Sequence, residues 1–210
     1  MTYRNVLVHV DAGRSAAARI DLAFAIAARD EGSVIGAHPT VPEFLPAYFE
    51  AGPEIMQLQQ NLADEETAKS RALFEACAAK AGGPNEWRAL SGPARTALAI
   101  EGRYADLIVV GQDDPENGAT TTPADLAADL IFSTGRPVLM VPYIGAQGGV
   151  GRRVLIAWSE TREGARAVAD AMPFLTRAEA VTVLTVSREA EVPDPAGRLC
   201  EALVRRGVQA

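Results

Sequence analysis

The chain has 210 residues, of which 48% are hydrophobic and 22% charged, and a formal net charge of −7. That length holds one large domain or one and a half of ordinary size, with a core of normal extent. The acidic balance, with no local basic block, excludes non-specific nucleic-acid binding and attraction to anionic membranes, and no run nears eighteen apolar residues.

Val6–Val10 reads as a first strand ending at Asp11, followed by the turn Ala12-Gly13-Arg14-Ser15 with Ser15 as N-cap. Ala16 to Arg29 is an alanine-rich helix, and Gly32 is the expected C′ residue after it. Ser33–His38 is a second strand. Pro39, Pro42, Pro46 and Pro53 then exclude a regular helix or central strand, in a stretch that still carries Phe44, Leu45, Tyr48 and Phe49. Glu54 to Ala81 is a long helix with Ile55, Leu58, Leu62, Leu73, Phe74 and Cys77 at its apolar positions. Gly82-Gly83-Pro84 stops it. Asn85–Ser91 is a third strand, and Gly92-Pro93 opens a helix running to about Tyr104.

Leu107–Val110 and Val138–Val141 are short, β-branched, continuously apolar runs, as in strands of a parallel sheet. A polar loop and the helix Leu126-Ala-Ala-Asp-Leu-Ile-Phe join them as a crossover. Five strands alternate with four helices by Pro142, which makes a doubly wound α/β domain over residues 1–142. The loop after Gly111 therefore lies at a strand's carboxyl end, where open α/β sheets bind ligands.

Residues 143–151 are a glycine-rich linker. Residues 152–210 begin a partial repeat. Arg153-Val-Leu-Ile-Ala-Trp-Ser matches Asn5-Val-Leu-Val-His-Val-Asp at an offset of 148, and Val181–Val186 falls where Ser33–His38 predicts. Pro195–Arg206 is a helix, and Gly207-Val208 looks like the entry to a third strand. A half sheet with a bare edge buries its apolar surface poorly, so residue 210 is expected to be the end of a fragment.

Four segments carry a family resemblance: Asn5-Val-Leu-Val-His-Val-Asp, Ser91-Gly-Pro-Ala-Arg-Thr-Ala-Leu, Ala105-Asp-Leu-Ile-Val-Val-Gly and Arg136-Pro-Val-Leu-Met-Val-Pro. Together they resemble the universal stress protein family (UspA-like) in its tandem two-domain form, with the second domain truncated. The resemblance implies a Rossmann-like sheet of order 3-2-1-4-5, with a cleft between the first and fourth strands where Asp11 and Gly111 end. It also implies association through Val138, Leu139, Met140 and Val141, either between units of one chain or between two chains.

Nucleotide-binding members of that family carry Gly-x2-Gly-x9-Gly-(Ser/Thr) after the fourth strand, whose glycines let backbone N–H groups approach phosphates. From Gly111, the second glycine falls on Asp114, the third on Ala124 and the hydroxyl on Asp125. Only Gly111 is kept. Asp113, Asp114, Glu116 and Asp125 put carboxylates where a polyphosphate would lie. One carboxylate about 5 Å from a phosphate charge costs roughly 3 kcal/mol at an effective dielectric near 20. The helix dipole returns only about 1 kcal/mol.

A bridging Mg²⁺ would invert that sign, so the alternative to having no cofactor is a switch that binds ATP with Mg²⁺, through Asp11, Gly111 and metal-bridged contacts or through the missing half of the second domain. Asp11 is left either to contact a nucleotide or to cap the turn near Ser15, and Ser159 takes its place in the repeat. His9, His38 and Trp158 read as packing residues, Thr120–Thr122 as a solvated loop, and Cys77 and Cys200 as thiols of a reducing compartment. No nucleophile–base pair stands out. The expectation is a cytoplasmic, non-catalytic stress-response module that pairs with itself, without nucleic-acid or membrane partners.

Overall fold

The computed structural model describes residues 2–41, 52–113, 123, 125–145, 150–186 and 194–210. The expectations placed on Pro42, Pro46, Phe44, Leu45, Tyr48, Phe49, Asp114, Glu116, Thr120–Thr122 and Ala124 lie outside these residues. The chain divides into two compact units, one of residues 3–146 and one of residues 147–210 with 1–2.

The first unit runs β1 (Asn5–His9), α1 (Ala16–Ala28), β2 (Ser33–Val41), α2 (Pro53–Ala81), β3 (Asn85–Pro93), α3 (Ala94–Gly102), β4 (Leu107–Gly111), α4 (Leu126–Thr134) and β5 (Val138–Val141). All pairings are parallel, and the strand order is β3-β2-β1-β4-β5. The order reverses between β1 and β4, which sets a crevice at the carboxyl ends of those two strands.

Alternation along the strands builds the two faces. Leu7, Ala37, Ile108 and Val110 pack against Leu98 of α3 and Leu126 and Leu130 of α4. The other face meets α1 and α2. There a Cβ on Gly36 would fall 2.5 Å from the Phe74 ring, so glycine is what lets α2 approach the sheet. Phe74 in turn lies 5.8 Å from Phe24 of α1. Val6, Leu7 and Val8 are fully buried, each contributing roughly 2 kcal/mol. Asp106 Oδ2 accepts from the backbone N–H groups of Arg4 (3.0 Å) and Asn5 (2.9 Å), which ties the start of β1 to that of β4.

Several boundaries differ from the sequence expectation. β2 continues through Pro39, because β1 pairs with it only as far as Ala37 and leaves proline's missing N–H on an open side. Gly92 and Pro93 end β3, with Pro93 opposite Val41, and Pro93 is the N-cap of α3 rather than its first turn. α3 stops at Gly102, and α4 extends to Thr134. After α1 the positive φ belongs to Glu31 (52°), not Gly32. Gly32 is needed for a different reason: a Cβ there would lie 2.6 Å from the Arg4 carbonyl oxygen. In α2, Phe74 and Cys77 are buried as expected, but Ile55, Leu58 and Leu62 are exposed. β5 is half-exposed rather than covered on both faces, because it is the edge strand.

The second unit runs β6 (Arg153–Ala157), α5 (Arg162–Leu175), β7 (Ala180–Leu184) and α6 (Pro195–Val204). β6 and β7 form a parallel pair, and β7 stops two residues short of Val186. Val154, Ile156, Val181 and Val183 pack against Val168, Leu175, Leu199 and Leu203. Leu155 and Leu184, on the alternate positions, are exposed. Trp158 packs against the same core. Gly207 turns the chain with φ 81°, and Val208 is buried. Val181 N–H then donates to Gln209 O (2.9 Å), as Val34 N–H donates to Pro84 O (3.1 Å) at the start of β3.

Candidate functional site

The turn after β1 is built by Asp11. Its Oδ1 accepts from Gly13 N–H at 2.9 Å, closing an Asx-type turn, and Gly13 O accepts from Ala16 N–H at 3.0 Å to start α1. Ser15 occupies the N-cap position but makes no side-chain cap bond, so the capping role expected of it falls to the backbone and to Asp11.

The first turn of α1 then aims Arg19 at the crevice. Its Nε donates to His9 O at 2.8 Å. Its Nη2 lies 3.0 Å from Asp11 Oδ2, close enough for an ion pair though not aligned for a hydrogen bond. A Cβ on Gly111 would fall on Arg19 Nη1, so the guanidinium fills the space that glycine leaves open. Arg19 is 1% exposed and Asp11 5%. One buried cation thus joins the ends of β1 and β4, the two strands that form the crevice.

His9 lies in the same cluster. Its Nδ1 is 3.9 Å from Asp11 Oδ2, beyond hydrogen-bond reach, and neither ring nitrogen has a hydrogen-bond partner among the described residues. Burial pushes its pKa down to about 4. Asp11 pulls the other way, and Arg19 and His38 add to the lowering. The ring is therefore neutral at pH 7. Nearby, His38 Nδ1 is 2.8 Å from Val10 O, and its ring stacks on Trp87 at 5.9 Å.

Of the residues singled out for a nucleotide, Asp11 and Gly111 come together as expected, but around Arg19. Asp113 is half-buried two residues past Gly111. Asp125 is the N-cap of α4, with no side-chain cap bond, and Asp129 in the first turn of α4 pairs with Arg95. Carboxylates suit a helix amino end, where they take the place an anion would occupy. Among the described residues, no group of three His, Cys, Asp or Glu side chains could hold a metal ion, and no helix is long and apolar enough to cross a membrane.

Val138–Val141 pairs with Ile108–Gly111 on one side, and its other side has no strand among the described residues. Met140 is half-exposed and Val141 buried.

Sequence reasoning missed Arg19, although a signal was present. Arg19, Ala23 and Ile26 share a buried face of α1, so Arg19 is a charge on an apolar stripe, eight residues after a carboxylate.

No protein-family model matches the chain, and no curated protein matches it. Solved structures do. A universal stress protein from Archaeoglobus fulgidus DSM 4304 matches with a TM-score of 0.68 at 13% identity, over 98% of this chain and 74% of that one. UspA from Lactobacillus plantarum matches at 0.51 and 19%, over 67% of this chain and 98% of that one. A universal stress protein in complex with cAMP matches at 0.45 and 24%, over 68% and 99%. With its five parallel strands in the order β3-β2-β1-β4-β5, this chain has the universal stress protein fold.

Proposed function

We propose that the chain is a cytoplasmic, non-catalytic universal stress protein of the tandem kind, a stress-response module that works by pairing. Its first unit keeps the outline of a nucleotide site without the means to hold one, and it carries no cofactor. The observation that supports this most is the engagement of Asp11 and Gly111 by Arg19. Removing one partner of a buried ion pair costs about 3–5 kcal/mol. A neutral hydrogen bond from a ribose or base to Asp11 is worth about 0.5–1.5 kcal/mol net. A nucleotide competing for this carboxylate starts at a loss. The rival, a switch that holds ATP through Mg²⁺ beside Asp113 and Asp125, requires the metal to outweigh both that loss and the surrounding carboxylates.

The pairing surface in this reading is β5, whose outer edge offers backbone donors and acceptors to the same strand of a second chain. Leu139→Asp places a charge in the middle of that strand. The mass measured by light scattering on a dilute sample, at about 1 μM or below, then falls to that of one chain, with the far-ultraviolet spectrum unchanged. A mass that stays at the wild-type value removes the pairing role.

A further inference from the structure

Two exposed apolar features of the first unit complement each other, and neither is used by the crevice or by β5. The first is a groove of about 550 Å³ between the outer sides of α3 and α4. Ala99, Ile100 and Phe132 line it together with Arg95 and Arg103. Phe132 is 89% exposed, an unusual state for a phenylalanine on a well-packed helix. Arg136 adjoins this lining by donating to Arg103 O at 2.8 and 3.1 Å, and Arg103 Nη2 reaches Ser133 O at 3.5 Å. Asp129, paired with Arg95, is the one acidic group in the lining. Among the described lining residues two arginines stand against one aspartate, and Arg136 lies next to them on Arg103, which leaves the groove apolar at its centre and positive at its edge.

The second feature is the amino-terminal half of α2. Ile55, Leu58 and Leu62 recur at i, i+3 and i+7 and are each more than half exposed. At about 100° per residue they form a stripe roughly a quarter turn away from the face that buries Ser70, Phe74, Cys77 and Ala78. The stripe is therefore not simply the core face running past the end of the sheet. Glu54, Asp64, Glu65 and Glu66 lie along the same half-helix, and the first basic residue is Lys69, already bridged to Glu65 at 2.7 Å. This half of α2 is apolar along one line and negative around it.

α2 packs on the face of the sheet that carries Gly36, and α3 and α4 pack on the opposite face. A molecule's own α2 cannot reach its own groove. We propose that the α3–α4 groove docks the amino-terminal half of α2 from a second copy of this chain. Ile55, Leu58 and Leu62 enter between Ile100 and Phe132, and Glu54, Glu65 and Glu66, which flank that stripe, face Arg95, Arg103 and Arg136. The mode is an amphipathic helix laid in a groove. The contact is heterologous, because the two surfaces are different, so it is able to propagate beyond a pair. Charge complementarity favours a second copy of an acidic chain over a basic partner, which the groove's own arginines would repel.

The test uses the whole chain, in the wild-type and in the Leu139→Asp background, so that association through β5 and association through α2 are read separately. Sedimentation is followed as concentration rises. The Leu139→Asp chain still self-associates, with a dissociation constant on the order of 10 μM, as suits a small interface. Adding Leu58→Asp or Phe132→Asp weakens that association at least about tenfold. Both positions are exposed, so neither change threatens folding. The decisive step is mixing. Leu58→Asp chains keep an intact groove and Phe132→Asp chains keep an intact helix, so equal amounts form a one-to-one complex that neither forms alone. Failure of the mixture to associate, or association of the Leu139→Asp chain that neither substitution weakens, overturns the proposal, as does a Leu139→Asp chain that stays monomeric throughout.

Discussion

The turn after β1 and the turn after β6 occupy matching places at an offset of 148, yet they are held by different chemistry. In the first, Asp11 accepts from Gly13 N–H and pairs with Arg19, beside a buried His9. In the second, the corresponding residues are Ser159, Ala167 and Ala157, so carboxylate, guanidinium and imidazole are all absent. Thr161 takes over as N-cap, accepting from Gly164 N–H at 3.0 Å, and α5 begins two residues earlier than α1 does in register. Strand, turn and helix form in both. The turn is closed by Asp11 in one unit and by Thr161 in the other, so the buried Arg19 and His9 are not what makes it. The polar cluster belongs to the crevice, and its members stand together in one unit and are missing together from the other.

The strongest way to break this comparison is to give the first unit the residues of the second. Arg19→Ala removes the buried guanidinium beside Asp11 and should destabilise the chain by about 3–5 kcal/mol in urea unfolding. Adding Asp11→Ser should recover at least about 2 kcal/mol of that loss, because the buried carboxylate goes with it. If the two losses simply add, the residues do not act as a pair.

His9 sharpens the contrast through pH. In the folded chain its ring titrates near pH 4, against 6.5 as the ordinary value. The unfolded chain takes up the proton first as pH falls. The stability that depends on a neutral His9 is therefore complete above about pH 6.5 and is lost as pH drops towards 4, by about 3 kcal/mol in all. His9→Gln removes this part of the pH dependence. An unfolding profile between pH 4 and 6.5 that is the same for both chains would show the ring is not held neutral.

The caps give the smallest effect. Thr161→Ala should lower stability by about 1 kcal/mol, whereas Ser15→Ala, which removes a hydroxyl with no cap bond, should change it by a few tenths at most. Equal losses at the two positions would mean the turns are capped alike.

Much of the frame was legible because burial writes itself into composition. Leu107–Gly111 is apolar throughout because β4 is covered on both faces. Pattern placed the loop after Gly111 at a strand's carboxyl end, and the strand order that brings Asp11 to the same crevice came from the family resemblance. Other features needed the neighbours. Pro39 can sit in β2 only because β1 has ended, a fact of register that no local pattern holds. Ile55, Leu58 and Leu62 have helical spacing that specifies an apolar stripe but not what lies against it. Arg19 was hardest to read. A charged residue in a helix ordinarily faces water, and only the distance to Asp11 shows that this one is buried with a counter-ion. The sequence motif recorded which glycines were replaced after β4, while the residue that occupies the crevice comes from α1.

Calorimetric titration of the whole chain with ATP, with and without Mg²⁺, is the most direct test of the claim that Arg19 has taken the place of a nucleotide. No heat of binding in either titration is the result the account predicts. Saturable binding that is lost in Asp11→Ser would contradict it, because Asp11 would then be serving a ligand rather than Arg19.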